Sequence, residues 1–310
     1  MRVVVIGAGA VGGVIGGLLA RAGHTVAFVA RGEARAAIRA RGLSIATPSG
    51  AFTTGPLAAE EEPSALGRFD LVVVAVKAWQ VAAMAPSLAP LLGEQAMVMT
   101  VQNGVEAAGR LAAALGEQAV VGSICHVLAT REGPAAMRYA SAPPLLTLGE
   151  RSGGTSERLE RLAEALRAAG MTAVVSPEIA VVLWTKLLFV EPLGSVGAVT
   201  RATADVLRAI PETRALLVQA MREVQAVAAG VGVSVPDANL EQALARVDGL
   251  PAGATASMHR DLLEGRPSEL EDQTGAVVRI GKKTGVPRPV HDFLYASLLP
   301  QARAAVRGDS

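Results

Sequence analysis

The stretch Arg2-Val3-Val4-Val5-Ile6-Gly7-Ala8-Gly9-Ala10-Val11-Gly12 decides the fold. Arg2 to Ile6 is nearly all apolar and rich in β-branched residues, the pattern of a strand buried on both faces. Gly7 to Gly12 then reads glycine-x-glycine-x-x-glycine. In a dinucleotide-binding turn the first glycine allows the tight bend. The second lets the backbone approach a pyrophosphate, and the third lets helix and strand pack closely. Val11, Ile15, Leu18 and Leu19 follow on one helical face, and Thr25 to Val29 makes the next strand. The pattern alone is weak, because a glycine-rich packing turn would look the same. Its place after a strand, at the start of a helix and before a second strand supplies the context the motif needs. Phosphates would sit on the free amides of the helix N-terminus, where the macrodipole favours negative charge.

Working outward, Leu71–Val76, Met97–Val101 and Ala119–Ile124 repeat the apolar run, with helical or loop stretches between them. That alternation predicts a parallel α/β sheet. Residues 137–148 contain Pro143 and Pro144 and read as an edge or antiparallel piece. A helix from Ser156 to Ala169 and a strand from Thr172 to Val175 complete the first region. After Ser176-Pro177 strand-like runs cease. One helix starts at Pro211 and puts Leu217, Met221, Val224 and Ala228 on a single stripe before Gly230. Another is expected from Ser268, with Ser268 and Glu271 as a capping box, to Gly285. The expected organisation is a Rossmann-type domain over residues 1–176 and an all-α domain over residues 177–310.

Composition limits the function classes. With 51% hydrophobic and 18% charged residues the 310-residue chain is a well-packed globular protein, long enough for two cores. A net charge of +1 carries no footprint for nucleic acid or an acidic membrane. No run reaches the roughly 18–20 uncharged apolar residues of a membrane helix, and glycines interrupt the N-terminal segment where a secretion signal would need an apolar stretch. Cys125 is the single cysteine, so no internal disulfide forms. The four histidines give it no partner at ligand spacing, so no metal site is expected. A cytoplasmic protein is the expectation.

Where an NAD-preferring site would carry an acidic residue after the second strand, this chain has Arg31. A guanidinium suits the 2′-phosphate of NADP, although a solvated surface arginine would read identically. Lysine is scarce: Lys77, Lys186, Lys282 and Lys283 leave 25 of the 29 basic residues as arginine. Lys186 lies amid Val181, Val182, Leu183, Leu187, Leu188 and Phe189, where an idle charge would be costly.

Together with the glycine turn, Val76-Lys77-Ala78-Trp79-Gln80, Gln102-Asn103-Gly104 and Trp184-Thr185-Lys186-Leu187 resemble the ketopantoate reductase family. The resemblance implies NADPH as cofactor and a small keto acid as substrate. It places Gly7, Ala8, Gly9, Ala10, Val11, Gly12, Arg31, Lys77 and Asn103 at the cofactor. It makes Lys186 the group that binds the carbonyl and supplies the proton. Ser257 on substrate and Glu269, near both cofactor and Lys186, stand at the family's twelve-residue spacing. Glu269 could equally be one of several acids complementing a helix dipole. His126 and His259 have no carboxylate at motif spacing and read as structural or peripheral. The resemblance leaves a homodimer open.

The chain also departs from the family. Val190, Gly194 and Ala254 occupy positions where members often carry asparagines that pair with the substrate. Val190 and Ala254 would make the pocket more apolar, Gly194 would leave room for a larger group, and Pro192 should kink or end its helix. The expected activity is therefore NADPH-dependent reduction of a 2-keto acid of the ketopantoate type. The rivals are a related enzyme acting on a more apolar ketone and a non-catalytic NADP-binding sensor.

Overall fold

The computed structural model describes residues 1–140 and 142–307, in two compact units. The first comprises residues 1–102 and 107–179; the second comprises 103–106 and 180–310. Each is described by itself.

The strands of the first unit are β1 Arg2–Ile6, β2 Thr25–Val29, β3 Ser44–Thr47, β4 Gly50–Thr53, β5 Ala58–Glu60, β6 Phe69–Val74, β7 Leu92–Thr100, β8 Val120–His126, β9 Ala129–Gly133, β10 Ala136–Tyr139, β11 Leu145–Glu150 and β12 Thr172–Val175. Its helices are α1 Ala10–Arg21, α2 Gly32–Arg41, α3 Val81–Met84, α4 Ala107–Leu115 and α5 Glu157–Ala168. An eight-stranded sheet runs β12-β11-β8-β7-β6-β1-β2-β5. The block β5-β2-β1-β6-β7-β8 is wholly parallel and has the doubly wound order, with its switch point between β1 and β6. Val3, Val4, Val5 and Ile6 are buried because layers cover both faces of β1, which is why the strand carries no polar alternation.

The segment over 137–148 resolves into two pieces. β11 pairs antiparallel with β8 and parallel with β12, as its prolines suggested, whereas β10 belongs to a second sheet of order β4-β3-β10-β9. That four-stranded sheet was not expected. It packs on α1, where a Cβ at Gly13 would meet Met137 Cε at 2.5 Å and one at Gly17 would meet Ile45 Cγ1 at 2.8 Å. The run expected over Leu71–Val76 ends at Val74, so Lys77 sits in the loop after the strand.

The second unit is helical: α6 Ile179–Thr200, α7 Ala204–Ala209, α8 Pro211–Gly230, α9 Asp237–Asp248, α10 Ser257–Leu263, α11 Thr274–Thr284 and α12 Pro289–Arg307, with the first residue of α6 in the preceding unit. Leu217, Met221, Val224 and Ala228 of α8 are fully buried against Trp184, Leu187 and Leu188 of α6. Full burial of each large side chain contributes about 1.5–3 kcal/mol, which outweighs helix propensity as the source of stability. By length and composition alone α6 could span a bilayer. It holds Lys186 and Glu191, both buried, and serves as the core helix of this unit.

Two local expectations fail. Pro192 does not end α6, which continues to Thr200. Its cost is one missing amide toward the Leu188 carbonyl, and burial of α6 within this unit holds the remaining turns. The helix expected from Ser268 begins only at Thr274, and Gly285 terminates it in the left-handed region. Ser268 makes no cap: its buried hydroxyl has no hydrogen-bond partner, and residues 269–273 form turns.

Candidate active site

In the first unit the three motif glycines fill distinct roles. Gly7 has φ +102°, and a Cβ there would stand 3.0 Å from the Ala75 carbonyl oxygen. A Cβ at Gly12 would lie 2.3 Å from the Gly7 carbonyl oxygen and 2.8 Å from the Ala75 Cβ, so no larger residue fits between α1 and the sheet. Gly9, the N-cap of α1, faces open space within 4 Å. Its bareness is not explained by packing, and it fits close approach by a diphosphate. No acidic residue stands in the first turn of α1 to oppose one.

Arg31 is exposed at the end of β2, where it is the N-cap residue of α2. The nearest acid on the adjoining strand, Glu60, pairs with Arg35 at 2.9 Å and with Arg39. The hydrogen bond from Arg35 holds the Glu60 carboxyl below its usual range. Among the described residues Arg31 makes no ion pair. Lys77 follows β6, its Nζ 5.7 Å from the centre of the exposed Trp79 ring. Gln102, part of the Gln102-Asn103-Gly104 motif but given no role from sequence, is buried and donates from Nε2 to the carbonyls of Val74 (2.8 Å) and Val76 (2.7 Å). It fixes the loop that carries Lys77.

In the second unit a cavity of about 170 Å³ is lined by Asn103, Phe189, Val190, Leu193, Leu250, Ala254, Thr255, Ala256, Ser257 and Gln273. It gathers Asn103, Val190, Ser257 and Ala254 from the expected residues. Glu269 stands behind its wall: Oε2 accepts from Asn103 Nδ2 at 3.1 Å and from Gln273 Nε2 at 3.2 Å. Glu269 is therefore a buried acceptor in a turn, not a dipole-complementing acid in a helix. Gln273 was missed, although its spacing of four from Glu269 was a usable signal. Lys186, 8% exposed, lies one α6 turn before Val190, on the stripe that continues into the cavity wall.

Gly194 is not in the cavity. A Cβ there would meet Met258 Cε at 2.9 Å and Ala256 Cβ at 3.5 Å, so Met258 already occupies the room that a bulkier substrate would need. Gly194 and Gly197 let α10 lie close along α6, with His259 against Gly197. His259 is buried, and burial followed by the nearby Arg260 charge depresses its pKa, as suits a structural histidine.

The first unit is a doubly wound sheet of the dinucleotide-binding type, and the second is a helical unit with a largely apolar cavity. The sequence matches the family model "Ketopantoate reductase PanE/ApbA" over residues 3–153 and that family's C-terminal model over residues 178–301. The chain belongs to the ketopantoate reductase family. A 2-dehydropantoate 2-reductase of Mesorhizobium japonicum is 32% identical over 96% of each chain. One from Halobacterium salinarum is 33% identical over 94% of this chain and 95% of its own. A PanE/ApbA family ketopantoate reductase structure from Ralstonia eutropha superposes with TM-score 0.89 at 31% identity, covering 98% of this chain and 99% of the other.

Proposed function

We propose that the chain reduces a 2-keto acid to a 2-hydroxy acid with NADPH, in the manner of 2-dehydropantoate 2-reductase. The observation that carries this reading is Lys186, a scarce lysine buried on the α6 stripe one turn before the cavity wall. NADPH, when bound, supplies the hydride for the carbonyl carbon. In this reading the glycine turn and the α1 N-terminus receive the diphosphate, Arg31 the 2′-phosphate, and Lys77 and Asn103 further parts of the cofactor. Lys186 polarises the ketone oxygen and gives it a proton, a task that suits a compact ammonium and that no arginine performs. Ser257 holds the substrate from the cavity wall, and Glu269 acts through the amides it orients.

A second reading concerns the substrate. Phe189, Val190, Leu193, Leu250, Ala254 and Ala256 make most of the cavity wall apolar. Polar atoms of ketopantoate left unpaired there would cost about 1–3 kcal/mol each. A 2-keto acid with an apolar side chain fits that wall better. The test is NADPH oxidation followed by absorbance with ketopantoate and with branched and aromatic 2-keto acids. Turnover of any member supports the reduction, and the ranking assigns the substrate. NADPH binding without turnover of any of them would leave a sensor.

A further inference from the structure

The helical unit buries a second cluster of titratable groups that the proposed reaction does not use. His291, at the start of α12, is fully buried between two carboxylates. Its Nε2 lies 2.8 Å from Oε2 of Glu191 on α6, and its Nδ1 lies 2.7 Å from Oε2 of Glu223 on α8. Glu223 also accepts the backbone amides of Val290 and His291, each at 2.9 Å, and so closes the N-terminus of α12. Burial alone would keep the imidazole neutral. The Glu191 charge and hydrogen bond, with those of Glu223, overcome it and raise the pKa to about 9. Those two carboxylates, from α6 and α8, are the charged groups that act on the ring.

Buried ion clusters are poor stabilisers, since apolar residues of similar volume often serve a core as well or better. Their best attested use is to fix one arrangement of packed elements. The place of Glu191 shows which arrangement is fixed here. It immediately precedes Pro192, so it stands where the α6 ladder lacks a bond and a helix can hinge. Ser195 Oγ donates to the Glu191 carbonyl at 3.0 Å, so both its backbone and its side chain are tied at that point. Upstream of the break are Lys186 and Val190, and Leu193 of the cavity wall is downstream.

We propose that Glu191, His291 and Glu223 form a positioning device that locks α6 across its proline, holding Lys186 and Val190 in one orientation. None of the three lines the cavity, so they act through α6 and are positioning residues. This rests on Lys186 being the proton donor of the proposed reduction.

The experiment compares the full chain with Glu191→Ala and Glu191→Gln by hydrogen–deuterium exchange with NADPH present, and by steady-state kinetics with NADPH and ketopantoate. Glu191→Ala is expected to speed exchange over residues 186–196 at least tenfold while peptides from β1 and α1 keep their protection. It should lower kcat tenfold or more with KM for NADPH unchanged within twofold. Glu191→Gln still bonds His291 and should restore most of kcat at pH 7, with the alkaline limb of its pH profile moved at least one unit downward. A folded Glu191→Ala with wild-type exchange and kcat would overturn the proposal. So would a rise in exchange spread over the whole chain. Should Glu191→Ala not fold, Glu191→Gln and His291→Gln decide: an alkaline limb moved downward in Glu191→Gln and lost in His291→Gln supports the device, and profiles coincident with wild type overturn it. If the unmodified protein turns over no keto acid, the reading of the reaction fails, and exchange over residues 186–196 still tests the lock.

Discussion

Asn103 and Glu269 lie 166 residues apart in sequence, yet Asn103 Nδ2 donates to Glu269 Oε2 at 3.1 Å. The same oxygen receives Gln273 Nε2 at 3.2 Å, so one buried carboxylate aims two amide side chains of the cavity wall.

That arrangement sets the expected behaviour of Glu269 variants. Hydrogen bonds to a charged acceptor contribute about 1.5–3 kcal/mol each, so Glu269→Ala should lower kcat/KM at least tenfold. Glu269→Gln keeps one acceptor oxygen and should lose less. Steady-state kinetics at fixed NADPH separates the two. Equal activity of Glu269→Ala and wild type would mean that the amides need no such acceptor.

Cofactor choice rests on Arg31. One charge-assisted contact to a 2′-phosphate, about 1.5–3 kcal/mol, predicts a preference for NADPH over NADH of roughly tenfold to a hundredfold. Arg31→Asp should abolish it. Binding titrations of both cofactors measure the ratio, and equal affinity in the unmodified protein would remove Arg31 from the cofactor site.

The buried histidine makes stability depend on alkaline pH. The His291 pKa, about 9 in the folded chain, lies above its ordinary value near 6.5. Its protonated form is thus favoured by folding. The stabilisation is fully present below about pH 6.5 and is lost as pH rises through about 9. Thermal unfolding midpoints from pH 6 to 10 should fall over that window, and His291→Gln should flatten the fall. A curve unchanged by the substitution would show that His291 is not the group responsible.

The asparagine positions separate cleanly. Val190→Asn adds an amide to the cavity wall and should improve kcat/KM for ketopantoate about tenfold, the value of one recovered polar pairing. Gly194→Asn instead drives a side chain into Met258 and should destabilise the chain by about 1–3 kcal/mol in urea without improving turnover. An active, stable Gly194→Asn would contradict the packing described for α6 and α10.

The parallel sheet was legible because β1 and β2 advertise themselves: apolar β-branched runs flank a glycine turn whose three roles follow from sterics. The second sheet was not, since β3, β4 and β10 are only four residues long and the pairing of β3 with β10, which joins its two hairpins, spans about 90 residues. The extra glycines Gly13 and Gly17 carried its signal, because a glycine in a helix face marks a close neighbour. Ser268 and Glu271 fitted a capping pattern that tertiary contacts overrode when Glu269 turned inward to Asn103 and Gln273. Lys186 could be singled out by its rarity and apolar surroundings. The Glu191–His291–Glu223 cluster could not, because three residues spread over 100 positions share no spacing rule.

The most direct test of the proposed reduction is Lys186→Ala, measured by NADPH affinity and by single-turnover oxidation of NADPH with the best keto acid. A positioned proton donor contributes roughly 10²–10⁴-fold, so kcat should fall by at least a hundredfold while the dissociation constant for NADPH stays within about twofold. Retention of half the wild-type rate would contradict the assignment of Lys186 as the group that protonates the ketone.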